Sequence, residues 1–75
     1  MKNFEILVTD VPDRENLVAE IWYNEILIAE INQETEKLQI EFFLNEKLNL
    51  ELDAFCYALE TAKNKIIIAN EKYEY

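Results

Sequence analysis

Glu20 and Glu30 hold the same place in two near-copies of one phrase, LVAEI (Leu17 to Ile21) and LIAEI (Leu27 to Ile31), and Glu41 follows in the next apolar run. Three carboxylates meeting on one surface could bind a divalent cation, or divide into a general acid and a general base. Such sites draw their close ligands from loops or from substrate phosphates, and no stretch here has EF-hand spacing. The stronger reading of the three is a solvated acidic face. Carboxylates two apart on a strand lie about 6.6 Å from one another, so they could also imitate a row of phosphates. Other chemistry is missing from the chain's alphabet, which holds no His, no Gly and no Ser. That removes Ser–His and Cys–His nucleophile pairs, glycine-rich phosphate loops and histidine metal sites. Cys56 stands alone beside Phe55 with no imidazole to activate it, so a partly buried structural thiol is expected. The sequence therefore predicts no catalytic residue, no cofactor and no metal.

Charge narrows the partners. Sixteen acidic residues against seven basic give a net charge of -9, of which residues 1–50 carry -7 and residues 51–75 carry -2. Phosphate backbones and anionic membrane surfaces repel such a chain. A basic protein, or one that handles nucleic acid, attracts it. With 75 residues the chain is expected to form one domain, 1–75. Half of its residues are hydrophobic, which is too many for a disordered acidic tail. A single cysteine cannot close an internal disulfide, and the start MKNFEILVTD lacks the pattern of a signal peptide, so a reducing, cytoplasmic home is expected.

The elements that must position these carboxylates follow from periodicity. NFEILVT (3–9) alternates like a strand, with Phe4, Ile6 and Val8 on one face. DVPDREN (10–16) is a polar loop set by Pro12. LVAEIWY (17–23) and ILIAEI (26–31) are β-branched and aromatic, joined at Asn24-Glu25, where Asn tolerates positive φ. LQIEFFL (38–44) is a fourth strand. From about residue 50 to 71 the period changes to three and four, with Leu52, Phe55, Leu59, Ala62, Ile66, Ala69 and Tyr73 in one stripe. Asn49 is a plausible N-cap. Tyr73 and Tyr75 read as a frayed tail. The expected fold is α+β: a four-stranded antiparallel meander, ββββα, with the C-terminal helix on one face.

Register decides which way the repeated glutamates point. A plain two-residue turn would pair Tyr23 with Ile26 and put Glu30 on the same face as Leu17, Ala19 and Ile21. An unpaired buried carboxylate costs several kcal/mol, roughly, and a bulge costs less. Both glutamates are therefore expected to face outward, with a bulge or a distorted turn near Asn24. The helix-free face would then carry Glu5, Leu7, Val18, Glu20, Trp22, Ile28, Glu30, Gln39, Glu41 and Phe43. From it we take Trp22, Phe43, Ile28, Glu20, Glu30 and Glu41 as a candidate protein interface.

The stretch LVAEIWYNEILIAEINQETEKLQIEFF, followed by LELDAFCYALETAKNKI, resembles a group of very short, acidic bacterial hypothetical proteins. Their shared pattern is VAEI, two aromatics, a turn, AEI, QET, an aromatic-ended strand and an acidic-start helix. The group tends to carry Asp-Gly where this chain has Asn24-Glu25, which implies a tight turn in those proteins. The resemblance covers most of the chain, but its motifs are structural and imply no activity, cofactor or site residue. On the residues, the expected function is a non-enzymatic module that binds a basic partner, in the manner of immunity proteins, antitoxins or phage-borne inhibitors of nucleic-acid enzymes. The alternative is a homodimeric accessory protein whose sheet faces or edge strands pair.

Overall fold

A computed structural model describes residues 3–72. Four antiparallel strands form one sheet in the order of the chain: β1 (Phe4–Thr9), β2 (Val18–Tyr23), β3 (Ile26–Asn32) and β4 (Gln39–Phe42). One helix, α1 (Leu52–Lys72), follows. The expected α+β meander is thus the observed fold. Tyr73 and Tyr75 lie outside the described residues.

The core lies between α1 and one face of the sheet. Ala19, Ile21, Ala29 and Ile31 supply the sheet side, and Ala62 and Ile66 the helix side. The small residues matter here. Ala19 and Ala29, the third letters of the two repeated phrases plus Ala58 and Ala62 on the helix, have no bulk to hold the two layers apart, and all four are buried. The repeat thus marks the floor on which the helix rests. At one end Phe4 packs on Tyr23 with ring centroids 4.8 Å apart, and on Phe55 at 6.0 Å. At the other end Gln33 and Asn70 exchange two side-chain amide hydrogen bonds, of 3.1 and 2.8 Å, which fasten the last helical turns to the β3–β4 loop.

The helix begins later than Asn49 would set it. Glu51 is the cap: its carboxylate accepts the main-chain N–H groups of Asp53 (3.2 Å) and Ala54 (2.8 Å), and its carbonyl accepts that of Phe55. These are donors that no residue inside the helix can satisfy. Cys56 is exposed, not partly buried.

The β2–β3 hairpin keeps both glutamates on the face away from the helix, and it does so with a bulge. The turn itself is tight. Asn24 (φ 49°) and Glu25 (φ 70°) both take positive φ, the signature of a primed two-residue turn, and Tyr23 pairs with Ile26. Parity is corrected further along. Trp22 pairs with Leu27 but Ile21 pairs with Ala29, so Ile28 is the extra residue of a β-bulge. Beyond it Glu20 pairs with Glu30, and Ala19 with Ile31.

Candidate functional site

The helix-free face carries a transverse row. Leu7 on β1 is opposite Glu20 on β2, Glu20 is opposite Glu30 on β3, and Glu30 is opposite Glu41 on β4. The three carboxylates that the sequence set apart are thus brought together on neighbouring strands, which run about 4.8 Å apart. Like charges placed directly opposite destabilise a sheet, and the molecule meets that cost from a loop.

Arg14, in the β1–β2 connection, lies over the row. Its Nε donates to Glu30 Oε2 at 2.7 Å, and a terminal guanidinium nitrogen donates to Glu41 Oε1. A planar guanidinium can serve two carboxylates at once in this way, which an ammonium does less well. Its pKa is raised above the ordinary guanidinium value, first by the hydrogen bond to Glu30, with partial desolvation opposing. The loop is pinned further by Glu34, whose carboxylate accepts the main-chain N–H groups of Glu15 and Asn16. Asn16 Nδ2 and Gln33 Nε2 also reach across, to the carbonyls of Gln33 and Leu17.

This arrangement corrects the expected interface at two positions. Glu30 is on the predicted face but is only 6% exposed, enclosed with Arg14. Ile28 is 1% exposed and belongs to the core cluster, because the bulge takes it out of the simple alternation that placed it outside. Neither side chain is presented to a partner. Val18, expected on the same face, is also fully buried. Glu20 and Trp22 are half-buried, while Phe43 and Glu41 are exposed. Arg14 itself was missed by sequence reasoning. The available signal was that it is the one arginine among seven cations, set in a loop beside strands with facing glutamates.

Glu20 takes a different partner. Trp22 Nε1 donates to Glu20 Oε1 at 3.0 Å, so the indole lies along the strand with its polar edge satisfied. Glu5 is the cross-strand neighbour of Trp22 on β1. Glu5, Leu7, Trp22 and Glu25 together line a shallow depression, open to solvent, at the hairpin end of this face. An indole beside exposed Leu7, with Glu5, Glu20 and Glu25 around it, can receive an alkyl-ammonium or guanidinium group. The ring and Leu7 would take the stem or the cation face, and the carboxylates the charge. Among the described residues, no group of three or more His, Cys, Asp or Glu is placed to hold a metal ion. No helix among them is long and apolar enough to cross a membrane.

The other face holds a feature that the sequence did not foretell. A helix is about 10 Å across and four strands span roughly 15–19 Å, so one helix covers about half of such a sheet. Here α1 packs on β1 and β2. The helix-side residues of β4 are left uncovered: Ile40 is 40% exposed and Phe42 54%. With Leu38, Ile31 and Leu59 they line an apolar groove whose rim includes Glu60 and Lys63.

No protein-family model matches the chain, and neither the curated proteins nor the solved structures yield a match.

Proposed function

We propose that this chain is a non-enzymatic protein-binding module that captures a basic protein on its acidic sheet face. A regulator or inhibitor of a nucleic-acid-handling protein, of the immunity, antitoxin or phage-inhibitor kind, is the biological form this takes. The observation that supports the reading is the Trp22 depression. It combines an aromatic ring of the type enriched at binding hot spots with three flanking carboxylates and an exposed leucine. The chain's charge of -9 steers a cationic partner toward it. The remaining carboxylates of the face are bound internally by Arg14 and contribute less.

The test is capture from cells of the source organism with the wild-type chain and with a Glu5→Gln/Trp22→Ala/Glu25→Gln variant. These three side chains are exposed or half-buried, so the variant is expected to keep its circular dichroism spectrum. Wild-type protein should retain one or more basic proteins that elute with added salt, and the variant should lose them. Retention of the same proteins by the folded variant overturns the reading. Glu30 is a poor choice for this test, because removing it strands Arg14.

A further inference from the structure

We infer that the free edge of β4 is a self-association surface, which pairs antiparallel with β4 of a second copy about a two-fold axis at Glu41. This proposal is independent of the Trp22 face, which lies on the hairpin side and points away from the helix layer.

The backbone supplies the first argument. The sheet order ends at β4, so among the described residues one side of that strand has no neighbouring strand. The N–H of Phe43 donates to the carbonyl of Ile28 at 2.9 Å, which turns the main-chain groups of Phe43 toward β3. Alternation along an antiparallel ladder then turns those of Glu41 and Gln39 inward, and those of Ile40 and Phe42 outward. The outward donors and acceptors thus belong to two alternate apolar positions, Ile40 and Phe42, a ready template for another strand.

The side chains supply the second. Leu38, Ile40, Phe42 and Leu44 are all exposed. About a two-fold at Glu41, Leu38 meets Leu44 of the second copy, and Ile40 meets Phe42. Both hydrogen-bonding pairs then use the outward main-chain groups, and both helices stay on one side of a continuous sheet. A foreign strand would have to supply this spacing by coincidence, whereas a second copy supplies it by identity.

Charge supplies the third. Edge strands are commonly guarded by a charged residue, and here the guard, Glu41, is held by Arg14. The segment 36–47 holds Lys37 and Lys47 against Glu36, Glu41 and Glu46, a net of -1 out of the chain's -9, and Arg14 is bound to Glu41. The two-fold sets Glu41 opposite its own copy, a like-charge pair that is modestly destabilising, and the Arg14 held on each Glu41 offsets it.

Sedimentation of the whole chain over a concentration series, at low and at high sodium chloride, tests this. A monomer–dimer equilibrium is expected, with a dissociation constant that falls severalfold as salt screens the distant carboxylates. Capture of a basic partner has the opposite salt dependence, so failure of one proposal is distinguishable from failure of the other. Phe42→Lys should abolish the dimer, and Leu7→Lys, on the opposite edge strand, should leave it intact. In the wild type, hydrogen exchange at the amides of Ile40 and Phe42 should slow with rising protein concentration, a readout that needs no variant. A chain that stays monomeric at both salts overturns the proposal, as does an association that weakens with salt. So does a dimer in which those two amides exchange as fast as in the monomer.

Discussion

Arg14 shows how one side chain can decide whether a surface is available. It takes two of the three aligned carboxylates out of circulation, and Glu30 is enclosed in the process. Leaving one member of such a pair buried without the other is costly, whereas replacing both by apolar groups is often tolerated. Arg14→Leu is therefore expected to lower the urea midpoint more than removal of any exposed charge. The double variant Arg14→Leu/Glu30→Leu should recover part of the loss, and a double variant less stable than the single one would contradict this account. The pH sign is also fixed. A cation whose pKa is raised on folding contributes stability at every pH below its unfolded value, and loses it only as pH rises through the folded one. For Arg14 that window lies in strong alkali, so the pair's contribution through Arg14 is complete across the neutral range.

At the scale of the element, the hairpin solves a parity problem in two places. Its turn is a regular tight one, and the bulge at Ile28 returns Glu30 to the side away from the helix. Glu25 carries the cost of the tight turn, since a Cβ at φ 70° crowds the following carbonyl. Glu25→Gly should raise stability by about 1 kcal/mol, less a few tenths for the added freedom of the unfolded chain. Chemical denaturation reads this directly, and a destabilised variant would show that the Glu25 side chain has a role beyond the turn. Strand and helix existence was legible from alternation and from the change of period near Leu52. That Glu20 and Glu30 take the side away from the helix was legible too, because an unpaired carboxylate under the helix is so unfavourable, but the burial of Glu30 there against Arg14 was not. The position of the bulge was not, since any residue between the turn and Glu30 corrects parity equally well in a pattern. The fate of Ile28 followed from that position.

For the molecule as a whole, the charge is unevenly spread and the two sheet faces differ in kind. One bears an indole among carboxylates, and the other an apolar half-sheet beside the helix. A net charge of -9 on a chain this short opposes compactness through self-repulsion, which salt screens. The melting temperature of the Phe42→Lys variant, in which edge pairing is expected to be absent, should therefore rise with moderate sodium chloride. A falling melting temperature would mean that exposed ion pairs outweigh the repulsion.

Composition and periodicity by themselves determined the ββββα order, the helix stripe, the acidic character and the face of the sheet that Glu20 and Glu30 share, because each rests on a local period or on one dominant energy. Tertiary structure alone decided that Arg14 closes over Glu30 and Glu41, that Ile28 joins the core, and that α1 rests on β1 and β2 while β4 stays uncovered. Those outcomes depend on how a loop folds back across strands distant in sequence, and on where one narrow helix comes to rest on a wider sheet.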